Sequence, residues 1–242
     1  MPLTAAPQRF LFIHQNFPGQ FVHVATELAR LGHEVVALGI KGHAVAGVKL
    51  LRYQPKAPDR VSGVEAAIDF ETKIVRGIAC AQVMEQLKAG GFTPDVVVAH
   101  PGWGEALFCK DVWPAMRLVM FAEFFYGADG TDYNFDPEFT ADKLAGRIRL
   151  RIKNSVHLHA LHAADAIYAP TQCQASQLPP EYRAKTHVIF DGIDTQHVKS
   201  NAHSSIHLQR EGITNRNLEP YRGFHTFMRA LPEILRQRPN AH

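Results

Sequence analysis

The run Asp95 to Ala99, DVVVA, lies between a long helical pattern that stops at Gly90-Gly91 and the glycine-containing stretch HPGWGE. No other feature constrains the fold as much. A strand without polar alternation has both faces buried, which is the condition of a parallel strand with helices on both sides of its sheet. The same kind of unit recurs along the chain. Phe10 to Ile13, Glu34 to Leu38, Val48 to Tyr53, Arg117 to Ala122, Ala166 to Ala169 and His187 to Phe190 read as further strands. Helical patterns lie between them. One carries Phe21, Val24, Ala25 and Leu28 and ends at Gly32; a longer one carries Ile74, Ile78, Val83 and Leu87; others span Glu105 to Val112 and Asp142 to Ala164. Strands separated by helices, and nowhere by a two-residue hairpin turn, predict an α/β fold with a doubly wound parallel sheet.

With 242 residues, 46% of them hydrophobic, the chain can hold one complete α/β domain and part of another. After Asp191 to Asp194, DGID, the periodicity lapses. The expected organisation is a domain over 1–196, a linker over 197–213 and the opening of a second domain over 214–242. In that last part Phe224, Phe227, Met228, Leu231 and Leu235 form an apolar helical stripe. No apolar run approaches the roughly 18 residues of a membrane span, and Met1 to Arg9 lacks the basic start and apolar stretch of a secretory signal, so a cytoplasmic protein is expected.

Cys80, Cys109 and Cys173 are odd in number and have no C-x-x-C spacing, which argues against a disulfide framework and a zinc ribbon. A net charge of +3 gives no reason to expect nucleic-acid binding. The basic stretch RIRLRIK, Arg147 to Lys153, reads as a solvated helix face, with contact to a phosphate or a membrane surface as the alternative.

In an open parallel sheet, ligands collect beyond the carboxyl ends of the strands. Four stretches occupy such positions. In HQNFPGQ, His14 to Gln20, Pro18-Gly19 lets the backbone approach a ligand at a helix start, or forms an ordinary turn. In HPGWGE, His100 could orient a sugar hydroxyl or accept its proton near neutral pH, and Trp103 is either a stacking surface or a core aromatic. Glu123 precedes a loop rich in aromatic and acidic residues, including Tyr126, Asp129, Asp132, Tyr133 and Asp136; this loop suits sugar recognition or is a polar surface connection. Asp191-Gly192 turns the chain after the last strand.

Absent motifs narrow the chemistry further. There is no G-x-G-x-x-G, which disfavours a nicotinamide dehydrogenase or a nucleotide-sugar epimerase. G-x-x-x-x-G-K-[ST], G-x-S-x-G and H-E-x-x-H are missing as well. Of His157, His159 and His162, only the last two would share a helix face, and no metal site is expected there.

The ordered motifs FLFIHQNFPGQF, GHEVVAL, PDVVVAHPGWGE, FDPEF and VIFDGIDT, followed by NRNLEPYRGFHTFMRALP, resemble bacterial glycosyltransferases of family 4. The resemblance covers residues 9 to 196 nearly continuously. It implies the GT-B fold, with one Rossmann-like domain complete and a second one incomplete. It also implies transfer of a hexose from a nucleotide-sugar donor to a saccharide or lipid-linked acceptor, with retention and without a metal or other cofactor. By the same resemblance, His100 sits by the acceptor; from the strand-end positions, His100 and Glu123 are expected to act on the acceptor, with Trp103, Glu105 and Tyr126 as acceptor-binding residues. Pro18, Gly19, Asp191, Gly192, Arg216 and Arg222 would lie along the donor, where the arginines offset the charge of the leaving diphosphate. The family's E-x7-E element lies deep in the second domain and has no counterpart at that depth, and the link from His197 to Thr214 is short, so a truncated or internally deleted copy is expected. The competing reading is a non-catalytic module that binds a saccharide or a partner chain. The expected location is the cytoplasm, including the inner face of a bacterial membrane.

Overall fold

The first strand, β1 (Arg9–Ile13), sends Leu11 and Ile13 into one core layer and Phe12 into the other. Its apolar run therefore lacks alternation because both faces are covered. The computed structural model describes residues 6–57, 63–129, 133–139, 143–200 and 222–239. After β1 come β2 (Asn16–Phe17), α1 (Val22–Arg30), β3 (Glu34–Gly39), β4 (Lys41–Gly42) and β5 (Val48–Arg52). Then follow α2 (Glu65–Ala89), β6 (Val96–Ala99), α3 (Cys109–Val112), β7 (Arg117–Phe121), α4 (Lys143–Ala163) and β8 (Ala166–Ala169). The last elements are α5 (Gln172–Gln177), α6 (Pro180–Arg183), β9 (Thr186–Val188) and α7 (Phe224–Gln237).

Seven strands form one wholly parallel sheet in the order β5-β3-β1-β6-β7-β8-β9, and β2 and β4 form a separate two-residue ladder. The α/β parallel-sheet class expected from the sequence is what the structure shows. The chain first builds outward from β1 to β3 and β5, then returns to the other side of β1 and builds from β6 to β9. The order thus reverses between β1 and β6, where Leu11 is paired with both Val36 and Val97. One layer packs Leu11, Val97, Leu118, Met120 and Ile167 with Cys80, Met84 and Leu161 from α2 and α4. The other packs Phe12, Val35, Ala37 and Phe121 with Phe17, Phe21 and Ala25.

Three expectations are corrected. The buried stripe of α2 is Lys73, Gly77, Cys80 and Met84, not the expected Ile74 and Ile78, and Ile78 is 47% exposed. The cause is a backbone contact, since a Cβ on Gly77 would come within 2.6 Å of the Gly104 carbonyl oxygen and only that face of the helix can lie so close. The helix expected over Glu105 to Val112 is reduced to α3, because Glu105 turns inward and Glu105 to Phe108 form turns. The strand expected over His187 to Phe190 is β9, which ends at Val188. The Ile189 amide donates to the carbonyl of Ala169, where β8 stops, and Phe190 beyond it is exposed.

Cys80 and Cys109 are buried and Cys173 is exposed. The chain divides into two units, Met1–Tyr126 with Arg147–Gly192, and Gly127–Gly146 with Ile193–His242. In the second unit, Phe227, Met228 and Leu235 of α7 are exposed. Residues 201–213 of the expected linker lie outside the described residues. Among the described residues no helix is long and apolar enough to cross a membrane.

Candidate active site at the β1/β6 switch point

Where a parallel sheet reverses its order, the loops leaving the two central strands diverge and open a crevice. His14, directly after β1, is 4% exposed there. Its Nδ1 accepts the Asn16 backbone N–H at 3.1 Å, which leaves the ring proton on Nε2. Phe21 and Trp103 meet the ring edge-on, with centroids at 5.6 and 4.8 Å. Burial, and after it the neighbouring His100, lower the His14 pKa to about 4, so the ring is neutral at pH 7. Gly19 lies against it with φ +48°, and a Cβ there would stand 2.5 Å from the imidazole Cε1. Only glycine lets Pro18-Gly19 lead into the turn Gly19–Phe21 and then α1 at this distance.

His100, directly after β6, is held in the same way. Its Nδ1 accepts the Gly102 N–H at 3.0 Å, and its ring stacks on Trp103 with centroids 4.1 Å apart and planes 9° apart. Its Nε2 then faces Glu123 Oε2 at 3.4 Å. Glu123 follows β7 by two residues, and Gln20 Nε2 donates to the same oxygen at 3.0 Å. The Glu123 side chain is 44% exposed, with Gln20 donating to it and the His100 ring nitrogen at ion-pair distance. Asp191 lies near enough that Glu123 acts with partial burial to raise its pKa. Gln20 also lies beside the His14 ring, where its side chain acts against the lowering of the His14 pKa.

Helices α2 and α4 form the wall behind His100. Gly104, at φ +99°, would place a Cβ 2.0 Å from the Lys73 carbonyl oxygen, which fixes α2 against HPGWGE. Lys73 is 5% exposed and reaches Asp69 Oδ2 at 2.7 Å, and Arg76 donates to Gln15 Oε1 at 3.3 Å. From α4, His157 meets His100 across Gly102, and Lys153 Nζ lies 3.6 Å from the Tyr126 ring centroid. The side chain of Asn154 closes two hydrogen bonds to the Tyr126 backbone.

Of the residues singled out from the sequence, His100, Trp103, Glu123 and the Pro18-Gly19 turn converge in this crevice, with Asp191 at its margin. Tyr126 stands edge-on to His157 at 5.6 Å. Glu105 is 1% exposed, its Oε1 accepts from Tyr53 at 2.6 Å, and burial raises its pKa, so it supports the loop from the core and does not face an acceptor. Gly192 is exposed with φ +84°. Arg222 belongs to the second unit, and Arg216 lies outside the described residues.

The sequence reading did not distinguish His14 and Gln20 within HQNFPGQ, although His14 had the same signal as His100, a histidine directly after a buried strand. It missed Lys73 and Arg76 altogether. Among the three α4 histidines it grouped the exposed pair, His159 and His162, and passed over the buried one. In the second unit, Asp136, Glu138 and His225 bring ligand atoms within 4.8 Å of one another, but Arg229 donates to both Glu138 oxygens.

A family model described as the glycosyl transferase family 4 group matches residues 31–198. The chain belongs to the glycosyl transferase family 4 group. The match contains His100, Trp103, Glu123 and Asp191, while His14, Gly19 and Gln20 precede it. Solved structures similar to this family 4 chain include the catalytic domain of starch synthase IV from Arabidopsis thaliana bound to ADP and acarbose. That likeness has 15% identity and a TM-score of 0.49, over 79% of this chain and 53% of the other. Another is a UDP-glucosyltransferase from Polygonum tinctorium capable of glucosylating indoxyl, with 10% identity and a TM-score of 0.46, over 77% of this chain and 52% of that one. The family 4 chain therefore spans about half the length of these structures. No curated protein matches it in sequence.

Proposed function

We propose that this chain forms the acceptor-side part of a hexosyltransferase that moves a hexose from a nucleotide-sugar to a saccharide or lipid-linked acceptor, with retention at the anomeric carbon. The observation that carries this reading is the His100 Nε2 to Glu123 Oε2 pairing, at 3.4 Å, on the carboxyl side of the switch point. Glycosyl transfer requires the acceptor hydroxyl to lose its proton as the bond to the diphosphate breaks. With Nδ1 occupied by the Gly102 amide, His100 donates from Nε2, and Glu123 is the proton acceptor. Gln20 and His100 hold the carboxylate, and Trp103 fixes the imidazole plane. The Glu123 side chain is partly exposed, where a sugar hydroxyl can reach it.

In this reading Pro18, Gly19, Asp191 and Gly192 face the donor, and Arg216 and Arg222 offset the charge that develops on the leaving diphosphate, the task a metal performs elsewhere. The reaction belongs in the cytoplasm. If the acceptor is lipid-linked, it takes place at the inner face of the membrane, with the exposed Arg147, Arg149 and Arg151 toward the lipid headgroups.

The test is release of nucleoside diphosphate from a panel of nucleotide-sugars, measured for this chain alone and for the chain joined to a donor-side domain. Release that depends on His100 and Glu123 supports the proposal. No release under either condition sinks it and leaves the non-catalytic saccharide- or partner-binding module.

A further inference from the structure

Gln20 reaches Glu123 from a different strand end than His100 does. Its Nε2 donates to Glu123 Oε2 at 3.0 Å, the oxygen that His100 Nε2 faces at 3.4 Å. A glutamine amide has a donor end and an acceptor end, so the end that meets the carboxylate is decided by what the other end finds. Donation to Glu123 requires Oε1 to face a donor, and His14 supplies one. Gly19 passes so close to the His14 ring that a Cβ there would stand 2.5 Å from Cε1, and the next side chain, Gln20, leaves the backbone beside the imidazole. There it acts on the ring as a hydrogen-bond partner. His14 Nε2 and Gln20 Oε1 are both buried, and among the described residues neither has another partner. The reversed amide would set oxygen against carboxylate and N–H against N–H, so only one orientation satisfies both neighbours.

The donor at His14 is itself fixed by the backbone. Nδ1 accepts the Asn16 N–H at 3.1 Å, so the neutral ring carries its proton on Nε2, and Phe21 and Trp103 hold the ring edge-on. Polarity thus runs in one direction, from the Asn16 amide through His14 and Gln20 to Glu123. We propose that His14 and Gln20 are positioning residues for Glu123: His14 fixes the Gln20 amide with its N–H toward the carboxylate, and Gln20 favours the ionised, proton-accepting form of that carboxylate. The proposal rests on the reading of Glu123 as the base for the acceptor hydroxyl. Neither residue touches the reacting atoms in this role, and His14 acts through Gln20. The titratable groups around Glu123 are His100, Asp191 and His14 itself, so a direct electrostatic route from His14 to Glu123 exists beside the route through the amide.

An NMR titration of the isotopically labelled Glu123 carboxyl group in the 242-residue chain, assigned with Glu123→Gln, separates the two routes without any need for turnover. Gln20→Leu removes the donor, and the Glu123 titration should move up by about one pH unit, the tenfold effect of losing a hydrogen bond to a charged group. His14→Phe keeps a ring against Phe21 and Trp103 but has no N–H, and should move the titration in the same direction. In the Gln20→Leu background it should add nothing, because its effect passes through the amide. No movement with either single variant overturns the proposal, and so does an equal movement with His14→Phe in both backgrounds, which marks a direct charge effect. Circular dichroism confirms the fold of each variant. If His14→Phe does not fold, nitrogen NMR of the wild-type imidazole decides: a proton on Nε2 is expected, and a proton on Nδ1 overturns the proposal. In the chain joined to a donor-side domain, Gln20→Leu should lower kcat by about tenfold, with the acidic limb of its pH profile moved to higher pH and the acceptor KM changed less. Transfer that survives Glu123→Gln sinks the reading of Glu123 as the base, whatever the titrations show. Transfer that needs Glu123, while its titration ignores Gln20 and His14, sinks this inference alone.

Discussion

At the scale of single residues, His14 and His100 show how a strand end orients an imidazole. In both rings Nδ1 accepts the backbone amide two residues on, which sends the remaining proton outward on Nε2. For His100, Nε2 lies 3.4 Å from Glu123 Oε2, and in the proposed reaction the carboxylate is the base. Glu123→Gln keeps the shape and the Gln20 neighbour but removes the base, and kcat should fall by about 10²–10⁴-fold, with acceptor affinity changed much less. Steady-state kinetics that separate kcat from KM check this, and a fall confined to KM would remove Glu123 from the chemistry. Gly19 fails differently when substituted. Its φ of +48° disfavours any side chain, and a Cβ would enter the His14 ring at 2.5 Å. Gly19→Ala should destabilise the chain by about 1–3 kcal/mol, read as a shift in the urea midpoint.

At the scale of elements, the site depends on how α2 lies on the HPGWGE loop. Gly104→Ala would add a methyl group 2.0 Å from the Lys73 backbone oxygen at φ +99°, where no side-chain rotation relieves the clash. It should cost about 3 kcal/mol or more and impair transfer even though Gly104 carries no functional group. Native stability on chemical denaturation would contradict the packing. This contact also explains which parts of the sequence were legible. DVVVA and the other buried runs announce themselves locally, because the period of a strand and its lack of alternation are properties of neighbouring residues. The strand-end rule then placed His100, Trp103 and Glu123 together without further information. The face of α2 was not legible in the same way. Gly77 meets Gly104 only after folding, and that contact turns Lys73 inward and Ile78 outward, against the apolar pattern. His157 was missed for a related reason, since its burial is set by the neighbours Gly102 and Tyr126 and not by its spacing from His159 and His162.

At the scale of the whole molecule, burying neutral imidazoles makes folding stability depend on pH. His157 has its pKa lowered from 6.5 to about 3, chiefly by burial. The unfolded chain takes up a proton near pH 6.5 that the folded chain refuses until about pH 3, so the unfolded state binds more protons throughout that window. Stability therefore falls as the pH drops below 6.5 and is unaffected by this group above it. His14, lowered to about 4, acts with the same sign over a narrower window. Glu105 opposes them. Its pKa is raised by burial, so the folded state holds a proton that the unfolded state releases, and that part of the stability is lost as pH rises above the ordinary carboxylate range. A comparison of one variant at two pH values separates these effects. Between pH 7 and pH 5 the His157 term alone should remove about 2 kcal/mol, because the unfolded histidine gains that much from protonation at 1.5 units below its pKa. His157→Gln should be less stable than wild type at pH 7, yet lose about 2 kcal/mol less on going to pH 5. Urea unfolding of both proteins at the two pH values gives this difference directly. Equal losses would mean that His157 is protonated in the folded chain, and the neutral wall behind His100 would have to be abandoned.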